Sequence, residues 1–393
     1  QPTPPARAIA PPEPSPDTVV GMARRLAAAF AAVTLLALSA PLSAVAGEPA
    51  RARTIGGESL ASNGLVVNAL AGAPSLPTNL PADSWLVANL TTGEVLAAKA
   101  PHARFLPAST LKLLTAATLI PRLNPNVYVP VSYADEVVDG TRAGLTVGMK
   151  YKVSTLFQCM LEMSANDAAQ ALAHAYGGIK ETLRAMNAEA RVLQANDTHA
   201  DTPSGLDGPG ETTSAYDLAL IAQADFQMPA FRHYITQVSS EIPARHHRHF
   251  QSQSHNDLLT THPYRGDIGG KNGYTDAAQA TYVGAATRHG QTILVTLMHA
   301  YPVWWPMATD LLNWGFKANG KVIPVGHLVQ PLQPPQPVVH EASAIAPVTV
   351  AEQSHHPSKT VPVIEALVVM VAAFAAGMTA MRRVIPRRLS REP

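Results

Sequence analysis

The sequence predicts an α+β fold, a sandwich in which an antiparallel sheet is flanked by helices. Three observations carry that reading. A strand–turn–strand pattern spans 85–100, a run of apolar helical segments fills 109–224, and two more strands at 279–288 and 291–298 meet at His289-Gly290. Strands, then helices, then strands again, closed by an amphipathic helix over 304–314, is the order of an α+β domain rather than of a βαβ series.

Each element has a local reason. Trp85-Leu86-Val87-Ala88-Asn89-Leu90 is a strand, Thr91-Thr92-Gly93-Glu94 a turn, and 95–100 the returning strand. Pro107 then stands before an apolar segment, where its fixed φ suits helix entry, and the helix runs to about 120, ahead of Pro121. Residues 122–150 are short strands and turns broken at Asp139-Gly140 and Val147-Gly148. A helix over 154–163 ends at Ser164-Ala165-Asn166, and Asp167 opens another that Gly177-Gly178 closes. Further helices are expected at 179–195 and 214–224, with a dense loop at 202–210 between them. After an irregular stretch comes Ile268-Gly269-Gly270-Lys271-Asn272-Gly273-Tyr274-Thr275, whose glycines leave backbone room for a ligand along a strand edge.

Composition narrows the function classes. The 393 residues carry 29 Lys+Arg against 28 Asp+Glu, a balance that excludes a nucleic-acid binder resting on a basic surface. One cysteine, Cys159, excludes an intrachain disulfide framework and a Cys-based zinc site; its apolar neighbours place it in the core. The tract Arg245-His246-His247-Arg248-His249 lacks metalloprotease spacing and reads as a solvated loop, so neither metal nor cofactor is expected.

The ends carry membrane signals. Residues 1–46 combine a Pro-rich extension with Met22-Ala23-Arg24-Arg25, an apolar core over 26–42 and Ala44-Val45-Ala46, the pattern of a cleaved signal peptide. Residues 47–82 read as a flexible lead-in, 83–317 as the catalytic domain and 318–360 as a Pro-rich linker. The apolar run 361–381 suits one membrane crossing, and the arginines of 382–393 place that tail in the cytoplasm. The domain is therefore expected outside the cytoplasmic membrane, tethered to it by the C-terminal helix.

The chemistry concentrates in three short motifs. Ser109 and Lys112 lie three apart, on one helix face, so the amine can reach the hydroxyl; burial would favour the neutral amine, the form that acts as a base. Ser164 and Asn166 share a tight connection between helices, and Lys271-Asn272-Gly273 lies in a strand. Taken alone, the first two motifs read as ordinary helix capping. In this order, 55 and 107 residues apart, the three resemble the Ser-x-x-Lys, Ser-x-Asn and Lys-Thr-Gly triplet of penicillin-binding proteins and serine β-lactamases. The flanking words Leu106-Pro107-Ala108-Ser109, Thr202-Pro203-Ser204-Gly205-Leu206 and Gly273-Tyr274-Thr275-Asp276 resemble low-molecular-weight D-alanyl-D-alanine carboxypeptidases of actinobacterial type.

The resemblance covers about 80–317 and implies a β-lactamase/transpeptidase-like sandwich with a helical subdomain. It implies peptidoglycan stem peptides ending in D-Ala-D-Ala as substrates and β-lactams as inhibitors. It also implies roles: Ser109 as nucleophile, Lys112 as its base, Ser164 as proton relay, and Asn166 as holder of the substrate amide. Lys271 would attract the terminal carboxylate, and the N–H groups of Ser109 and Tyr274 would form the oxyanion hole. Asn272 departs from the family's threonine and implies altered substrate or β-lactam affinity. Some relatives carry an all-β domain after the catalytic one; a Pro-rich segment stands there in this chain, and that domain is expected to be missing.

Two alternatives remain at this stage. A β-lactamase would need a water-activating carboxylate in the facing loop. The loop offers Asp207 and then Glu211 rather than Glu-x-x-Leu-Asn, and Ala165 stands in place of Asp in the second motif. A catalytically weak peptidoglycan-binding scaffold rests on Asn272 alone.

Overall fold

A computed structural model describes residues 54–332 apart from His247. The expected signal peptide, membrane helix and basic tail, and most of the Pro-rich linker, lie outside the described residues. Among the described residues no helix is long and apolar enough to cross a membrane.

The strands, in chain order, are β1 (Leu65–Val66), β2 (Asn68–Ala69), β3 (Ala82–Asn89), β4 (Glu94–Lys99), β5 (Tyr128–Pro130), β6 (Lys150–Lys152), β7 (Ser239–Pro243), β8 (His249–Gln253), β9 (Asp267–Thr275), β10 (Gln279–Arg288), β11 (Gln291–Ala300), β12 (Val322–Ile323) and β13 (Gly326–His327). The helices are α1 (Lys112–Leu119), α2 (Tyr133–Glu136), α3 (Val153–Glu162), α4 (Asn166–Tyr176), α5 (Ile179–Val192), α6 (Ala215–Gln227), α7 (Pro229–Ile235) and α8 (Trp305–Ala318).

The main sheet has the order β1-β4-β3-β11-β10-β9, with β13 also on β4, and its pairings are antiparallel. β11 joins the two hairpins by pairing with β3 from Ile293↔Asn89 to Ala300↔Ala82. Its side chains alternate as the pleat demands. Ile293, Val295 and Leu297 pack with Val87, Leu311 and Trp314 toward α8, whereas Leu294 and Met298 join the larger core with Leu86, Leu114 and Tyr216. A strand covered on both faces reads as a nearly unbroken apolar run, which is why 291–298 stood out in the sequence.

α1 is buried along its whole length, Lys112 included, so it forms the axis of the helical layer. The antiparallel sheet between helical layers is the α+β sandwich expected. Residues 54–82, expected as a loose lead-in, place β1 on the edge of the main sheet and pair β2 with β12. The start of the expected linker likewise returns to the domain, with β13 on β4 and Leu328 N–H donating to Gly93 O at 2.8 Å. Strands of two residues carry no periodicity, so pattern reading passes over them. α7 and the β7–β8 hairpin lie in the stretch read as irregular; each strand of that hairpin buries a single residue, Ile242 or Ser252.

Candidate active site

Ser109 sits in a 3-10 turn, Ala108–Leu111, that enters α1 directly. The turn is strained: Ala108 has φ of 46°, a left-handed conformation unfavourable for a residue with a Cβ. Surrounding groups hold it. Pro107 O accepts Thr110 Oγ1 at 2.6 Å and Thr281 Oγ1 from β10 at 2.8 Å. Gly205 and Gly273 press against the same turn. A Cβ on Gly205 would lie 1.8 Å from Ala108 O, and one on Gly273 would lie 2.6 Å from Ser109 N. Strand β9, the last in the sheet order, thus brings its Lys271-Asn272-Gly273 run against the nucleophile's backbone.

The Ser109–Lys112 contact forms as predicted. Lys112 Nζ lies 2.9 Å from Ser109 Oγ, 2.7 Å from Asn166 Oδ1 and 2.7 Å from Ser204 O. The last two partners can only accept. A neutral amine satisfies them with its two N–H bonds and turns its lone pair to the Ser109 hydroxyl, which then donates. Burial holds the Lys112 pKa well below the ordinary lysine value, and the Lys271 charge lowers it further; Glu211 and Asp167 oppose both. The amine is therefore set up to take a proton.

Asn166 is fixed from both ends. Its Oδ1 accepts from Lys112, its Nδ2 donates to Asp139 O at 2.7 Å, and its backbone N–H donates to Thr141 O at 2.7 Å. Sequence reasoning gave Asn166 to the substrate amide. Its side chain positions the base, leaving one amide hydrogen for a ligand. Asp167 holds the loop supplying those carbonyls, accepting N–H bonds from Ala143, Gly144 and Leu145 at 2.9, 2.9 and 3.0 Å, and from Ala168 at 2.9 Å.

Ser164 lies at the turn between α3 and α4 with φ of 65° and is nearly buried. Its hydroxyl makes no hydrogen bond to the described residues, so it is available to a ligand. Lys271 is buried, donates to Asn272 O at 2.6 Å, and is pushed down to about 7 by desolvation. Asn272 lines a cavity of about 630 Å³ with His255, Asp257 and Thr260. Tyr264 lies apart from this cavity: its OH donates to Asn313 Oδ1 at 2.8 Å, beneath Arg288. Tyr274 is exposed on β9 just beyond Gly273, where its backbone N–H belongs to the strand that touches Ser109.

The two loop acids are engaged by the protein itself. Asp207 accepts from Thr275 Oγ1 at 2.8 Å, and Glu211 is buried against the backbone of Asp201 and Thr202. Cys159 is buried, which raises its thiol pKa and agrees with a core role. Arg245, His246, Arg248 and His249 are exposed around the β7–β8 turn. Sequence reasoning missed Ser204 O, a backbone group with no residue signature, and Asp167, which it read as helix-opening.

A serine beside a strained residue, facing a desolvated lysine and flanked by an edge strand and a second lysine, defines a serine acyl-transfer site. The family model described as D-alanyl-D-alanine carboxypeptidase, Peptidase_S11, matches residues 71–301. D-alanyl-D-alanine carboxypeptidase DacB2 of Mycobacterium tuberculosis is 38% identical over 256 residues, covering 63% of this chain and 87% of that protein. The D-alanyl-D-alanine carboxypeptidase of Streptomyces sp. strain K15 is 30% identical over 248 residues, covering 58% and 84%. Among solved structures, a D-alanyl-D-alanine carboxypeptidase from M. tuberculosis superposes with a TM-score of 0.62 at 37% identity, covering 66% of this chain and 99% of that one. The Streptomyces K15 DD-transpeptidase gives 0.58 at 29%, covering 62% and 99%. The chain belongs to the Peptidase_S11 family of D-alanyl-D-alanine carboxypeptidases and is a hydrolase.

Proposed function

We propose that Ser109 is the nucleophile of a D-alanyl-D-alanine carboxypeptidase that removes the terminal D-alanine of peptidoglycan stem peptides through an acyl-enzyme. One observation carries this reading: the buried Lys112 amine lies 2.9 Å from Ser109 Oγ, with acceptor-only groups on its other two sides.

The Ser109 oxygen attacks the penultimate D-alanine carbonyl, and its proton passes to Lys112 Nζ. The N–H groups of Ser109 and Tyr274 stabilise the developing oxyanion. Ser164 relays a proton to the departing D-alanine nitrogen as the C–N bond breaks. Lys271, when protonated, attracts the substrate's terminal carboxylate, a charge-assisted contact that selects chain ends. Asn272, in place of the family's threonine, borders the leaving-group side and tunes affinity through an amide donor. Water then attacks the ester and frees the acid product. A β-lactam acylates the same Ser109.

The sequence of the segments outside the described residues supports an exported enzyme, with the N-terminal extension and signal peptide of 1–46 removed and 361–381 crossing the cytoplasmic membrane. A reporter fused after residue 393 would score that topology; a signal from outside the cell would overturn it.

The chemistry is tested with labelled penicillin followed by peptide mapping, and by assaying D-alanine freed from a D-Ala-D-Ala-ended peptide. The label should sit on Ser109, and Ser109→Ala should abolish both signals. Label on another residue, or D-alanine release surviving in the variant, would overturn the reading.

A further inference from the structure

Glu211 is a buried carboxylate that the mechanism above does not use, and it lies directly behind the loop that holds the base. Its Oε2 accepts the N–H groups of Asp201 and Thr202 at 3.0 and 2.9 Å, and its Oε1 accepts the Thr202 hydroxyl at 3.1 Å. The same hydroxyl oxygen accepts Gly205 N–H at 2.9 Å. The short loop is thereby closed on itself. Its middle delivers Pro203 O to Thr115 Oγ1 of α1 at 2.7 Å, Ser204 O to Lys112 Nζ at 2.7 Å, and Gly205 against Ala108 O. One carboxylate thus organises three successive backbone contacts onto the turn bearing Ser109 and Lys112.

We propose that Glu211 is a positioning residue for the general base: it pins the 201–205 loop so that the Ser204 carbonyl holds the Lys112 amine toward Ser109. This inference rests on the carboxypeptidase reading and adds to it a residue that touches neither substrate nor nucleophile.

The carboxylate also contributes charge. Glu211 favours the ammonium form of Lys112, as Asp167 does, against the desolvation and the Lys271 charge that favour the amine. Asp201 faces Glu211 from the same loop, with His199 at 3.2 Å on its far side, and His255 lies within reach of both lysine charges. Burial raises Glu211 itself to about 7, so its charge is present above that pH and is lost as the pH falls through it. Replacing it with a neutral isostere keeps the shape and changes the charge only above about pH 7, whereas lost shape scales the rate at every pH.

The test is the pH dependence of labelled-penicillin acylation, with melting temperature, for the full chain carrying Glu211→Gln or Glu211→Ala. Glu211→Gln keeps an oxygen for the two backbone donors. Its acid limb should stay in place, since Glu211 is already protonated at that pH, with at most about a tenfold loss at the optimum. Glu211→Ala frees the loop and should lose about a hundredfold or more, since an amine displaced by about an ångström loses its productive geometry. A loss in Glu211→Gln as large as in Glu211→Ala, or a rate kept in Glu211→Ala, overturns the proposal. Failure of the wild type to be acylated at Ser109 would overturn the carboxypeptidase reading instead, so the two failures are distinct.

Discussion

Replacing Asp167 with asparagine should unfold the site from beneath. The side chain is fully buried, and each of its oxygens accepts two backbone N–H groups: Oδ1 those of Ala143 and Ala168, Oδ2 those of Gly144 and Leu145. Asparagine keeps the shape but turns one oxygen into a donor, so two buried N–H groups face N–H₂ whichever way the amide is flipped. An unsatisfied buried donor costs about 1–3 kcal/mol, so the loss is roughly 2–6 kcal/mol with a centre near 4. For a domain of this size that lowers Tm by roughly 8–16 °C. The same loop supplies Asp139 O and Thr141 O to Asn166, which orients Lys112. Acylation by labelled penicillin should therefore fall about tenfold or more even well below Tm. Thermal unfolding and acylation rates measure the two effects. A variant melting within about 2 °C of wild type, with an unchanged acylation rate, would refute the idea that these bonds hold the base in place.

Two other outcomes follow from the same geometry. Ser164→Gly removes both the hydroxyl and the Cβ penalty at φ of 65°, so Tm should hold or rise slightly while D-alanine release drops roughly a hundredfold; a Tm loss would contradict the strain. The pH profile of kcat/KM on a carboxylate-ended peptide should be bell-shaped. Its acid limb rises as Lys112 loses its proton, and its basic limb falls above about 7 as Lys271 loses the charge that attracts the carboxylate. A substrate whose terminal carboxylate is amidated should lose the basic limb, and a persisting limb would remove Lys271 from that role.

The nucleophile and its base were legible because a three-residue spacing survives local detail. The sequence predicts an α-helical start, whereas Ser109 lies in a 3-10 turn that leads into α1; side chains three apart eclipse in that geometry, and the contact forms all the same. The large strands were legible for a similar reason, since β10 and β11 bury both faces. Asn166 shows the limit. A Ser-x-Asn motif places its amide in the cleft but does not say whether it meets substrate or lysine. Ser204 O and the Glu211 bonds depend on backbone brought together across 92 residues or along one tight loop, where residue identity carries little information. The β7–β8 hairpin stayed hidden because its anchor is polar: buried Glu162, two residues before Ser164, accepts Ser240 Oγ and Ser252 Oγ.

The return of the chain to β13 has a mechanical consequence. After β13 the described chain reaches Leu332, whose N–H donates to Val192 O of α5, and four strand spacings, about 19 Å at roughly 4.8 Å each, separate β4 from β9. Force applied at Leu332 would load its bond to Val192 and the Gln330–Gln194 bond first, and the two-residue strand β13 after them. The strand that meets the nucleophile lies at the far end of the sheet order from that load.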